Sequence, residues 1–372
     1  MNSPISKFRL TFCVLIITLR ALADDFTNEL EQASLSLRQA NYQDVITHYT
    51  RALQIQSNSS QGFTIYLSRG WAYEKVSQSE KSFEDYGRAI GVATNPKDLA
   101  SGHYVRGLTY LARTNPAEAF QDFTSAIQFD ANLQGAYVQR ARIHLELGHF
   151  ENAIADCDFA TSLKTNDTVA FYYKGLAYEY RHDFANEVIA YTDALRFSTN
   201  FQSNAKIFYS RGIAFAQLDQ LSNAVLDFNR TIQLEPTIAD AYAIRGLMWS
   251  QLGDYRMGKT DCEKSVQLNT NCSVACNNLA WILSTAPQSG LRDGKLAIKY
   301  ATHACNLTAW KEPHCLGTLA AACAENHQFS DAIKWEKMCI QIGFQTEKEI
   351  IQAQKELELF KQRKPFHFEN KH

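Results

Sequence analysis

One motif returns down this chain, and it constrains the fold more tightly than any bulk property. A ring-bearing residue is followed three positions on by arginine, then at once by glycine, then three further on by a second ring. Tyr66, Arg69, Gly70 and Tyr73 set the pattern. His103, Arg106, Gly107 and Tyr110 repeat it, as do Phe208, Arg211, Gly212 and Phe215, and Tyr242, Arg245, Gly246 and Trp249. Phe171, Lys174, Gly175 and Tyr178 are a variant with lysine, and Tyr137, Arg140, Ala141 and His144 a looser copy. The small residue recurs at Ala33, Gly70, Gly107, Ala141, Gly175, Gly212, Gly246, Ala280 and Ala320, with gaps of 37, 37, 34, 34, 37, 34, 34 and 40. A period this regular means a structural unit used many times over.

Each unit reads as two helices. Twelve residues after many of the small positions a second set begins, such as Ala119, Phe123 and Ala126, or Ala224, Phe228 and Thr231. Its spacing of i, i+4, i+7 is one face of an α-helix. Short turns such as Leu147-Gly148-His149 and Leu252-Gly253-Asp254 join the two helices into a hairpin. Glycine or alanine at the centre of the first helix lets the second approach closely, large residue against small. One hairpin cannot bury both its faces, so the units must stack and share a continuous core.

These residues resemble the tetratricopeptide repeat, with its aromatic, small, aromatic first helix and its Ala, aromatic, Ala second helix. On that resemblance residues 24–272 are seven repeats: Phe26–Ser59, Phe63–Pro96, Ala100–Leu133, Gln134–Asp167, Thr168–Phe201, Ala205–Ile238 and Ala239–Cys272. Residues 273–345 form two degenerate pairs, the first with an enlarged turn from Ser284 to Gly294, resembling the terminal pairs of some exported bacterial members. Residues 346–372 are a capping helix, with Ile350, Ile351, Leu357 and Phe360 available to cover the last face, and then a loose tail. The implied fold class is all-α, a right-handed superhelical solenoid of stacked helical hairpins. Glu187, where alanine is usual, puts the tight helix contact of the fifth unit in doubt.

Arginine at the seventh position of a unit is followed sixteen residues later by aspartate, in Arg69/Asp85, Arg106/Asp122, Arg140/Asp156, Arg211/Asp227 and Arg245/Asp261. Lys174/Ala190 breaks the series. Residues sixteen apart in this register face each other across an antiparallel hairpin, so five intra-repeat bridges are expected. A basic ladder for an anionic ligand is the competing interpretation, and self-satisfied charge is favoured over it.

Residues 1–23 look like an address. Lys7 and Arg9 precede an apolar run from Leu10 to Leu19, and Ala21-Leu22-Ala23 supplies small residues at signal-peptidase spacing. The run is too short for a stable span, and no other segment is long and apolar enough, so no membrane span is expected once the signal is removed. An exported protein, periplasmic or secreted, is the expectation. With 37 basic and 39 acidic residues the chain has no cationic excess to neutralise phosphates, which argues against a nucleic-acid partner.

Little points to chemistry. The ten histidines form no HExxH, and no GxSxG, P-loop or GxGxxG sequence occurs, so neither catalytic residues nor a cofactor is expected. Seven cysteines crowd the last third, from Cys262 to Cys339. Export permits a disulfide, yet Cys157, Cys262 and Cys339 take small or aromatic core positions, where cysteine serves as a compact hydrophobe. Buried thiols are favoured over a disulfide, and zinc over neither, since Cys272 and Cys276 lack a second close pair.

The resemblance also places a partner. First helices line the inner wall of such a superhelix, and its central positions here carry Leu67, Trp71, Tyr104, Leu108, Val138, Arg142, Tyr172, Leu176, Tyr209 and Ile213. Among these, Trp71, Tyr104, Leu108, Arg142, Tyr172, Leu176, Tyr209 and Ile213 are the candidate partner-binding residues, with packing between neighbouring helices an equal alternative. No unit has the Lys and Asn pair with which the chaperone-binding subset clamps a terminal carboxylate, so an apolar groove is expected. A non-catalytic scaffold for a protein or peptide partner results. An accessory subunit of an envelope enzyme is the alternative, and a degenerate hydrolytic or metal site in the cysteine-rich third is a more distant one.

Overall fold

A computed structural model describes residues 4–56, 61–199, 204–344 and 346–369, with side chains from Arg20 onward. Among the described residues the chain is all-α: 80% of them are helical, in nineteen α-helices, and no strand occurs. It divides into two compact units, Met1–Tyr173 and Lys174–His372.

In the first unit the helices pair as α1 (Pro4–Arg38) with α2 (Tyr42–Ile55), α3 (Gly62–Lys75) with α4 (Ser79–Val92), α5 (Pro96–Ala112) with α6 (Pro116–Phe129), and α7 (Gln134–Glu146) with α8 (Phe150–Leu163). The second unit continues from α9 (Thr168–Tyr180) and α10 (Phe184–Phe197). There α11 (Asn204–Gln217) pairs with α12 (Leu221–Leu234), α13 (Ala239–Gln251) with α14 (Tyr255–Leu268), α15 (Ser273–Thr285) with α16 (Gly294–Leu307), and α17 (Pro313–Glu325) with α18 (Phe329–Ile342). The helix α19 (Glu347–Lys361) closes the series. Within each unit a hairpin also packs on the next, α2 on α3 and α4 on α5 in the first, α12 on α13 and α14 on α15 in the second. The stacked hairpins inferred from the period are therefore the fold. The expectation of a leader falls on the start of α1, where side chains before Arg20 lie outside the description.

Close approach of small to large residues holds each hairpin. A Cβ added at Gly70 would stand 2.7 Å from the Tyr86 ring, and one at Gly107 would stand 2.8 Å from Phe123. Glu187 does not loosen its hairpin: a Cβ at Gly175 would come within 2.4 Å of Tyr191, itself fully buried. Hairpin turns share one device. Ala40, Ser77, Thr114, Gly148, His182, Asp219 and Gly253 all have positive φ, spaced 37, 37, 34, 34, 37 and 34 residues apart. The amide after each reaches back five residues, as His149 N does to the His144 carbonyl at 2.8 Å, which satisfies carbonyls that a helix end leaves free. The turn spacing matches that of the small residues, so the distance from small residue to turn is constant in these seven hairpins. Their extra residues go between hairpins, as from Ile55 to Gly62, or into the start of the longer α5, whereas the α15–α16 hairpin carries its own in the enlarged turn.

All five arginine–aspartate bridges form, each two-pronged. Arg69 Nε and Nη2 donate to the two Asp85 oxygens at 2.7 and 2.8 Å. Arg106, Arg140, Arg211 and Arg245 repeat the geometry with Asp122, Asp156, Asp227 and Asp261. In four of them Nη1 also crosses to the preceding hairpin, meeting Thr50 at 3.0 Å, Thr124 at 3.5 Å, Thr192 at 3.0 Å and Asn229 at 2.6 Å. The guanidinium thus ties one hairpin to its neighbour as well as its own two helices together. Arg106 lacks this third partner because the equivalent position is Gly87; there His103 Nδ1 joins Asp122 at 2.8 Å instead. Each guanidinium thus commits two or three of its donors inside the stack, to its own aspartate and, in four cases, to the preceding hairpin.

The capping helix buries part of the stripe expected: Phe360 is fully buried, and Ile350 and Leu357 are half-buried. Ala353, Glu356 and Phe360 face inward, whereas Ile351 is 45% exposed. The described part of the expected tail, residues 363–369, folds back on the unit. Arg363 takes a left-handed turn (φ 58), Lys364 N bonds back to the Leu359 carbonyl at 3.0 Å, and Pro365 starts a return path over the unit.

Candidate interaction surfaces

The expected partner-binding residues divide by environment. In the first unit, Trp71 on α3 is 39% exposed, its ring edge-on to Tyr42 at 5.3 Å with the Lys75 ammonium 5.1 Å above it. Arg142 on α7 is exposed and bonds Glu146 at 3.0 Å. Tyr104 and Leu108 on α5 are half-buried against the Ala119, Phe123 and Ala126 cluster. The Tyr104 hydroxyl lies where a Cβ on Gly135 would approach it to 2.8 Å, so it fills a gap between hairpins. Tyr172 is half-buried beside Tyr173. In the second unit Leu176 is half-buried, and Tyr209 and Ile213 pack on the Ala224 and Phe228 cluster. Sequence position alone does not separate these two environments; only Trp71 and Arg142 of the eight present themselves mainly to solvent.

A second surface carries no repeat signature. It lies in the second unit, where the segment from Pro365 to Glu369 rests against the start of α14 and the C-terminal ends of α15 and α17. Phe366 and Phe368 stand 6.1 and 6.0 Å from Trp281 on α15, and Phe368 stacks on Tyr255 at 5.8 Å. Between them His367 Nε2 meets Glu325 Oε2 at 2.6 Å. Glu325 is held in place from the other side by Arg292, whose Nε donates to Oε1 at 2.9 Å. Arg292 belongs to the enlarged turn, and its Nη1 also donates to the carbonyls of Ala286 and Pro287 at 2.8 and 3.1 Å. Finally Phe368 N donates to the Thr285 carbonyl at 2.9 Å, one of the acceptors that the end of α15 leaves open. The clue in the sequence was Phe366 and Phe368 two apart, the period of an extended chain with one side on a surface.

Three carboxyl groups are buried without a basic partner in hydrogen-bonding reach. Burial, with Glu179 nearby, pushes the Glu187 carboxyl up to about 8. Burial, with Glu356 nearby, pushes Glu336 up to about 9, and burial raises Glu356 itself to about 7. Glu187 and Glu336 each retain one oxygen with no hydrogen-bond partner. All three are under 5% exposed, which denies a substrate access to them. The eight described cysteines are free buried thiols, and burial raises Cys276 to about 11 and Cys305 and Cys323 to about 12, which makes those three weak nucleophiles. Among the described residues no three His, Cys, Asp or Glu side chains gather as a metal site would require, and no helix is long and apolar enough to cross a membrane.

The tetratricopeptide repeat family model matches residues 135–167, which coincide with α7, α8 and the turn between them. The human mitochondrial import receptor subunit TOM70 is 22% identical over 260 residues, covering 68% of this chain and 42% of the receptor. Human tetratricopeptide repeat protein 13 is 30% identical over 132 residues, covering 34% of this chain and 15% of that protein. This chain therefore spans less than half the length of either relative. Among solved structures, the C-terminal part of a TPR repeat-containing protein from Cytophaga hutchinsonii superposes with a TM-score of 0.54 at 17% identity, covering 67% of this chain and 98% of that one. That likeness is one of fold.

Proposed function

We propose that this tetratricopeptide-repeat chain is a non-catalytic scaffold that holds a peptide or helix of a partner protein against its first helices. The observation that carries this is Trp71. An indole left 39% exposed at mid-helix, fixed by Tyr42 on one edge and Lys75 over one face, is a rigid apolar anchor with little rotamer entropy left to lose. Arg142, exposed on a first helix of the same unit, supplies a polar contact. The leader-like start supports action outside the cytoplasm, and cleavage after Ala23 is the expected result of N-terminal sequencing.

The test is a pull-down comparing the wild type with Trp71→Ala and Arg142→Glu variants. Loss of the same partner from both supports the assignment. Unchanged capture by variants with wild-type circular dichroism would move the binding face elsewhere.

A further inference from the structure

We propose that the aromatic platform at the end of the second unit is a peptide-binding site that the chain fills with its own Phe366-His367-Phe368 segment. Its partner is an extended peptide with two aromatic side chains two residues apart and a histidine between them, which must displace that segment to bind. The inference rests on the scaffold reading only for its biological use, since the intramolecular complex is itself in the structure.

Three features identify a built site rather than a chance contact. Trp281 and Tyr255 come from different hairpins and clasp two alternate side chains of one short segment. Glu325 is aimed before any ligand arrives, because Arg292 fixes its other oxygen and is itself anchored on two turn carbonyls. A preset carboxylate of this kind loses little freedom on binding a cationic or N–H donor. The Thr285 carbonyl gives the backbone contact that fixes the register of an extended ligand. The enlarged turn thereby gains a purpose: a tight repeat turn would have no residue to hold Glu325.

Occupancy by a tethered segment sets a threshold. Four residues, Gln362 to Pro365, separate α19 from the segment, so its effective concentration is of order mM or above. A free peptide with an intrinsic Kd of order 100 μM would then bind the intact chain about 10-fold more weakly or worse.

The test uses the full chain and a labelled peptide reproducing residues 364–369, read by fluorescence anisotropy. The Phe366→Ala/Phe368→Ala variant should bind the peptide saturably, and the wild type at least 10-fold more weakly. Adding Trp281→Ala to the variant should abolish binding. A second opening variant, His367→Glu, sets like charge against Glu325 while leaving both rings, and it should also bind more tightly than the wild type. Equal binding to wild type and both variants, or no saturable binding to a variant whose melting matches the wild type, overturns the proposal. So does a concentration-dependent dimer that either variant dissolves, which would make the occupant a second copy's segment. None of these substitutions touches Trp71 or Arg142, so failure here and failure of the scaffold assignment are separable.

Discussion

Removing Asp85 tests whether the recurring arginine bridges are structural in the way their geometry implies. The Arg69 side chain is 8% exposed and the Asp85 side chain 1%, with two hydrogen bonds at 2.7 and 2.8 Å. Asp85→Ala leaves a guanidinium that cannot shed its proton among the rings of Tyr66 and Tyr73, 5.6 and 5.9 Å away, with Thr50 as its remaining hydrogen-bond acceptor. Breaking a buried pair on one side costs about 3–5 kcal/mol, whereas replacing both partners by apolar residues of similar volume is near neutral. Arg69→Met/Asp85→Leu should therefore recover most of the loss. The matching Asp122→Ala should cost less than Asp85→Ala, because the Arg106 side chain is 24% exposed and water can solvate it. Stacked repeats can open piecemeal, so the assay is native-state hydrogen exchange of the α3 and α4 amides alongside urea unfolding. Asp85→Ala should lower their protection by two to four powers of ten, at about 1.4 kcal/mol each. Equal loss in the single and double variants would refute the reasoning, because uncompensated charge would then not be the cause.

Two further outcomes follow from buried groups. Glu336 and Glu356, near 9 and 7 when folded, ionise near 4.3 when unfolded. The folded state holds more protons across that window, so stability of the α17–α19 region should fall as pH rises from about 5 to 9, by at most about 1.4 kcal/mol per pH unit per group. Melting of Glu336→Gln across that range should show a flatter decline, and an unchanged slope would exclude Glu336 as a source. The other outcome is a contrast of glycines. Gly87→Ala on α4 meets nothing within 4 Å and should stabilise by about 0.5–1 kcal/mol, whereas Gly175→Ala drives a methyl into Tyr191 and should destabilise by about 1–3 kcal/mol. Thermal denaturation reads both, and equal signs would contradict the packing argument.

The hairpins and their bridges were legible because tight packing dictates both residue type and spacing: a glycine under Tyr86 or Phe123 cannot be anything larger. The third partners of the arginines were present in the sequence but harder to see. They sit 19 residues back at Thr50 and Thr192 and 16 back at Thr124 and Asn229, tracking the 37- and 34-residue periods. Exposure of the wall residues was not legible. Trp71 and Leu108 hold equivalent repeat positions, yet Trp71 is 39% exposed while Leu108 is half-buried against the Ala119, Phe123 and Ala126 cluster. The docking of Phe366 and Phe368 was missed because two rings two apart, in a short segment outside the repeat, are too brief a pattern to stand out from chance. Glu187 signalled a departure correctly, but the response was a raised carboxyl pKa rather than a parted hairpin.

Constancy inside the seven regular hairpins and variation between them have an evolutionary corollary. A duplication or deletion of three codons at a junction shifts the next hairpin by nearly one helical turn and leaves every arginine opposite its own aspartate. Such a gene can drift in length at its seams while its internal bolts stay aligned, so indels among natural variants of this chain should cluster at the seams.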